Sequence, residues 1–383
     1  MNVFQFATLM LISIFLLPHN NRFHELRRLL KYNNAEAPNS QNEKPLVIGI
    51  LTLPLSHTLQ TKVEKELHSR VEEKLKDYPD DINNEMSFFP LSYAKWLISY
   101  NVIIIPIDIK NEPEYILKAM DHLNALLLIG GVTPIYIHNQ KITIDGENSH
   151  AILKREPSDY TKTVKQIIEK AKEINISRRF GIWGTCLGFE SLLIADSDYT
   201  LGLNFVGNLD YNSSIHIEDP NKDEGKFLSS ELRLNSSKHK DLFYFNHNWA
   251  FTVDNFKSNE KIKDNWEIIA TSNTRSNHRI IAMVKAKGYP FYAVQFHPEK
   301  TEFETGPKVH AVRTKEAITA AQKLAQLFLK SIEKSKNDKD INIDKLLSLV
   351  NHDEIGYKIS NAGVFSEIIV MKNKNNDTSM EKF

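Results

Sequence analysis

From residue 46 onward, short apolar runs alternate with stretches whose apolar residues recur at helical spacing. Residues 46–51, 102–107 and 125–129 are apolar runs of strand length, which predicts strands buried on both faces. Helical spacing appears at 92–99, 159–174 and 314–334. Residues 179–183 read as another short buried strand, with a helix starting by Phe189. A strand is expected near 242–245, and 249–257, 265–271, 279–285 and 291–296 read as consecutive β elements. Strands alternating with helices predict an α/β three-layer sandwich with a central, mostly parallel sheet. The consecutive β run predicts a smaller antiparallel section beside it. No internal repeat is visible.

Two segments carry the candidate chemistry. The only cysteine of the chain stands in Gly184-Thr185-Cys186-Leu187-Gly188-Phe189-Glu190, between the predicted strand and helix. Small residues flanking a nucleophile at a strand-to-helix turn are the pattern of a nucleophile elbow, here with sulfur. Gly184 and Gly188 allow the close backbone approach such a turn needs. The helix start places a positive dipole end beside Cys186, which favours thiolate over thiol. The plain alternative is a buried cysteine packing as a small hydrophobe. Downstream, Tyr292 to Glu299 reads Tyr-Ala-Val-Gln-Phe-His-Pro-Glu, a strand that Pro298 ends. Alternation along that strand would return Glu299 to the face of His297. Cysteine, imidazole and carboxylate then form the set that nucleophilic acyl transfer requires. Gly130-Gly131, after the strand at 125–129, would aim a backbone N–H of Gly131 at a developing oxyanion, with Leu187 N–H as the second donor. Glu190 lies about one helical turn beyond Cys186 and is read either as a ligand for a substrate amino group or as a structural carboxylate.

The elements Gly-Thr-Cys-Leu-Gly-Phe-Glu and Phe-His-Pro-Glu resemble those of the gamma-glutamyl hydrolases, in the class I glutamine amidotransferase-like superfamily. Further matching pieces are Pro45 to Leu51, Ser92 to Leu97, Leu128 to Gly131, Ser158-Asp159-Tyr160 and His247-Asn248-Trp249. Glutamine-hydrolysing relatives typically carry glutamine where this chain has Glu190. The resemblance spans roughly residues 45–330, and the stretch 132–157 is longer than the family pattern leads one to expect. It implies a flavodoxin-like fold and a Cys186–His297–Glu299 triad working through a thioester. It also implies folylpoly-γ-glutamate as substrate, His247 in the substrate pocket, no cofactor or metal, and a homodimer. The alternatives are a glutaminase or other γ-glutamyl amide hydrolase, and a secreted binding protein without activity.

Composition and the chain ends add context. Lys plus Arg and Asp plus Glu both total 48, so no basic field for nucleic acid exists. The 41% hydrophobic content is ample for a large core, and a single cysteine excludes an intrachain disulfide. No metal-ligand spacing or phosphate loop is present. An apolar run at 4–17 has signal-peptide length and is short for a membrane span. The expected division is a signal peptide at 1–20, a linker or propeptide at 21–44, a catalytic domain at 45–334 and a polar extension at 335–383. Within the extension, 364–371 is expected to dock back as a strand. Export would place the protein outside the cell or in a lysosome or vacuole, without a membrane span once the leader is removed. Asn175, Asn212, Asn235 and Asn376 would then be glycosylation candidates.

Overall fold

The computed structural model describes residues 45–55, 59, 61, 63, 86–97, 99–137, 156–232, 241–333, 355–362 and 364–372. The expected signal peptide and linker, Asn235 and Asn376 lie outside these residues. The first half of the chain contributes β1 (Leu46–Leu51), β2 (Leu53–Pro54), β3 (Met86–Pro90), α1 (Leu91–Leu97), β4 (Val102–Ile107), α2 (Pro113–Met120) and β5 (Ala125–Leu128). A two-residue pair, β6 (Tyr136–Ile137) and β7 (Glu156–Pro157), then leads into α3 (Asp159–Ile174), β8 (Gly181–Thr185) and α4 (Leu187–Asp196). Next come β9 (Asn204–Ser213), β10 (His216–Ile217), α5 (Asp223–Leu232), β11 (Phe243–Ala250), α6 (Val253–Ser258) and α7 (Glu260–Asn265). The last group is β12 (Trp266–Asn273), β13 (Arg279–Ala286), β14 (Phe291–Val294), α8 (Pro298–Phe303), α9 (Lys315–Ile332), β15 (Ile355–Ala362) and β16 (Phe365–Lys372).

One eight-stranded sheet runs in the order β10-β12-β13-β14-β8-β5-β1-β4. Strands β4, β1, β5, β8 and β14 are parallel, while β14, β13, β12 and β10 pair antiparallel. The antiparallel section therefore continues the main sheet rather than standing beside it. The expected β element at 249–257 is instead the end of β11 followed by α6, because Thr252 caps a helix by accepting the Asn255 N–H.

The helices form two contact groups. Helix α3 packs against α2 and α4, while α9 packs against α1, α5 and α8. Strand β8 touches α4 from the first group and α9 from the second, so it is covered on both faces. Its five residues are all buried, as apolar parallel strands require. Trp183 on β8 packs against Trp96 of α1 and Phe328 of α9, with ring centroids 5.2 and 5.5 Å apart. Ser158 caps α3 by accepting the Thr161 N–H.

A second sheet, in the order β15-β16-β3-β2, carries the end of the chain. The expected single strand at 364–371 is thus the second arm of a hairpin. Ile368, Ile369, Val370 and Met371 are buried and join the same hydrophobic cluster as the central sheet. A separate pair, β9 with β11, is antiparallel and irregular in register at Phe245 to Trp249.

Candidate active site

Parallel strands end on one edge of a sheet, and residues following them meet there. Gly130 and Gly131 follow β5, Cys186 follows β8 and His297 comes shortly after β14. The Cys186 N–H donates to the Val294 carbonyl at 2.8 Å, and the His297 N–H to the Tyr244 carbonyl at 2.8 Å. Both turns are therefore fixed by the backbone of neighbouring strands.

Cys186 has φ 52° and ψ −108°, a left-handed conformation that is strained for any residue with a Cβ. Tight packing imposes it. A Cβ added at Gly188 would lie 2.0 Å from the Leu128 carbonyl oxygen, and one at Gly184 would lie 2.9 Å from the Gly188 oxygen. The helix that follows Cys186 is thus pressed against β5 where no side chain fits. The thiol donates to the Asn246 carbonyl at 3.9 Å and receives the Leu187 N–H.

His297 is buried, and its Nδ1 lies 2.7 Å from Glu299 Oε1. This contact does not arise from strand alternation. β14 ends at Val294, Pro298 opens α8, and Glu299 lies in its first turn with His297 as the residue before the helix. Proline at a first helical position has no N–H to lose, so Pro298 starts a helix, and the strand it was expected to end has already stopped at Val294. With Nδ1–H held by the carboxylate, the other ring nitrogen, Nε2, presents a lone pair and has no partner among the described residues. A Cβ placed on Gly130 would meet His297 Cε1 at 2.8 Å and Cys186 Cβ at 3.2 Å, so imidazole and cysteine border one point in space.

Burial, and next the Glu190 carboxylate, push the Cys186 thiol well up, against the pull of Lys300 and the Leu187 N–H. Burial lowers the imidazole of His297, with Glu299 opposing. The resting pair is therefore thiol and neutral imidazole. The thiolate expected from the helix end is outweighed by desolvation of a buried group.

Two cavities, each of about 450 Å³, meet at Cys186 and share Gly131, Val132 and Asn246. One continues past His297 to Lys300, Lys308 and Phe365. The other contains Leu187, Glu190 and His247, with Leu209 and Trp249 at its exposed rim. Glu190 accepts from Gln295 Nε2 at 3.0 Å, and burial raises its carboxyl to about 8. The Nδ1 of His247 lies 2.8 Å from the Trp249 carbonyl, and burial lowers the ring to about 3. Its Nε2 is a buried acceptor without a partner among the described residues.

Cys186, His297, Glu299, Leu187 and Gly131 thus gather at one place, with Glu190 and His247 in the adjoining cavity. Asn175 and Asn212 lie elsewhere. The amide nitrogen of Asn175 donates to the Ala171 and Phe180 carbonyls, and that of Asn212 to the His310 carbonyl. Sequence reasoning missed Tyr93, whose hydroxyl accepts the Gly130 N–H at 2.8 Å and lies beside Glu299, as well as Asn246, Gln295 and Lys300. Tyr93 sits in the Ser92 to Leu97 motif and Lys300 directly follows Glu299, so both stood next to recognised signals. Among the described residues no group of three or more His, Cys, Asp or Glu is disposed to hold a metal. No described helix is long and apolar enough to cross a membrane.

The chain is 24% identical over 331 residues to gamma-glutamyl hydrolase B of Dictyostelium discoideum, covering 82% of this chain and 80% of that protein. It is 28% identical over 268 residues to gamma-glutamyl hydrolase of Bos taurus, covering 69% of this chain and 76% of that one. With probable gamma-glutamyl hydrolase 3 of Arabidopsis thaliana it shares 28% over 322 residues, or 83% and 81% of the two chains. The family described as Glutamine amidotransferase class-I matches residues 98–316, which include Cys186, His297 and Glu299. That match spans more than half of the sequence: the chain belongs to the class-I glutamine amidotransferase family, and it is an enzyme of that family.

Proposed function

We propose that this enzyme hydrolyses γ-glutamyl amide bonds, with folylpoly-γ-glutamates as its substrate class, through a Cys186–His297–Glu299 triad. The observation that carries the reading is the strained cysteine elbow opening on the same point as an imidazole already paired to a carboxylate. His297 Nε2 takes the thiol proton as sulfur attacks the γ-carbonyl carbon, and Glu299 stabilises the imidazolium that forms. The N–H groups of Leu187 and Gly131 receive the oxyanion. Collapse of the tetrahedral intermediate passes the proton from His297 to the departing amine and leaves a thioester on Cys186. Water, deprotonated by the same imidazole, then releases the acid.

The substrate class draws support from the relatives' names and from the apolar rim formed by Val132, Leu209 and Trp249. Exposed apolar groups at the mouth of a largely apolar cleft suit an aromatic head such as pteroyl on the acyl side. Export through the secretory pathway and a homodimeric state belong to the same reading, on the apolar run at 4–17 and the family resemblance. A glutaminase is the second reading, and Glu190 in place of glutamine weighs against it.

Chromatography of pteroyl-poly-γ-glutamate after incubation with the enzyme tests the proposal, beside Cys186→Ala and a free-glutamine control. Shortened pteroyl species from wild type alone are expected. Ammonia from glutamine with the polyglutamate intact would move the enzyme to the glutaminases.

A further inference from the structure

Lys300 is 2% exposed, yet among the described residues no carboxylate pairs with its ammonium at ion-pair distance. Of the acids on its own stretch, Glu299 is paired with His297, while Glu304 accepts the Ser366 N–H and lies near enough for the ammonium to favour its carboxylate, short of an ion pair. The ammonium instead lies over two rings, 5.9 Å from the centroid of Tyr244 and 5.2 Å from that of Phe365. A buried cation with no ion-pair partner is costly, and two aromatic faces and a nearby carboxylate offset only part of that cost. Lys300 lines the cavity that contains Cys186 and His297, and Lys308 stands exposed on the same wall. The far side is closed by Ala362, Val364 and Phe365 from the terminal hairpin.

The two cavities at Cys186 are unlike in a way that fixes direction. His297, which protonates the departing amine, borders only the Lys300 cavity. Leu187, which holds the oxyanion of the acyl carbonyl, borders only the Glu190 cavity. Acyl and leaving halves of a substrate must then lie on opposite sides of the sulfur. We infer that the Lys300 cavity is the leaving-group subsite, and that Lys300, with Lys308 at its edge, binds the carboxylates of the glutamate released. The inference rests on the hydrolase reading above and adds a polarity to it: anionic leaving group toward the lysines, aromatic acyl head toward Trp249.

The test uses two substrates with one acyl group. Pteroyl-γ-glutamyl-glutamate releases a dicarboxylate, and pteroyl-γ-glutamyl-methylamide releases an amine with none. For Lys300→Met, kcat/KM on the first substrate should fall about 10- to 100-fold more than on the second, mainly through KM. Lys300→Arg should recover part of the loss, and Lys308→Met should shift the ratio about threefold in the same direction. Equal losses on both substrates, carried by kcat, would overturn the inference and make Lys300 a support for the Cys186–His297 pair. Wild type cleaving neither substrate would bring down the hydrolase reading itself, and shows before any variant is made. Should Lys300→Met fail to fold, inhibition of wild type decides the matter: glutamate must compete better than its diamide, which keeps the amine but lacks both carboxylates, and equal potency would refute the subsite.

Discussion

Cys186 combines a reactive atom with a backbone conformation that disfavours its own side chain. The strain is released when the Cβ is removed, so Cys186→Gly and Cys186→Ala should differ in stability. Glycine should be the more stable by about 1 kcal/mol in denaturant melts, despite its larger unfolded-state entropy. Equal stabilities would mean that the elbow is not strained. A second residue-scale prediction concerns Glu190. Burial raises its carboxyl from 4.5 to about 8, so between those values the folded chain binds more protons than the unfolded one. Its contribution to stability is complete below 4.5, falls as pH rises, and levels off above about 8. Glu190→Gln should therefore match wild type in acid and melt higher near pH 8. A gap of the same size at both ends would rule out burial of the charge as its cause.

At the scale of elements, the contact between α4 and β5 holds the site together. An alanine at position 188 would drive a methyl into the Leu128 carbonyl, which backbone cannot yield cheaply. Gly188→Ala should give little soluble folded protein, whereas Gly202→Ala, with nothing within 4 Å, should melt like wild type. Most elements on the parallel side were legible in the sequence, because buried parallel strands are apolar throughout and their helices are strongly periodic. β1, β4 and α3 have the expected bounds. β9, with only two of its ten residues buried, gave no alternation to read. Pro298 read as the end of a strand, whereas the strand stops at Val294 and the proline opens a helix, a role that proline's fixed φ suits equally well. Cys186 stood out because small residues flank it at a strand-to-helix turn, and His297 and Glu299 because an imidazole and a carboxylate lie two residues apart. Tyr93 and Lys300 did not, because their meaning comes from contacts across 206 and 65 residues of chain, with Glu299 and Phe365 respectively.

For the whole molecule, the terminal hairpin matters more than its polar surroundings implied. β16 pairs with β3 over five residues, Phe365 lies over Lys300, and Glu367 pairs with Lys95 of α1. Ending the chain at residue 334 would uncover β3 and remove one wall of the catalytic cavity. Loss of the buried Ile368, Ile369, Val370 and Met371 should lower stability by several kcal/mol, on the order of 10 °C in Tm. Turnover should fall with it, and a truncated chain that melts and turns over like wild type would show the hairpin to be dispensable.

That hairpin also sets an order of events during synthesis. Cys186 and His297 leave the ribosome before residues 355–372, so a nascent chain holds both residues before the cavity beside them is closed. Throughout that interval Met86 to Pro90, an apolar strand, offers one edge with no mate. That edge stays open until β16 arrives, and a chaperone engaging it would be displaced by β16 itself.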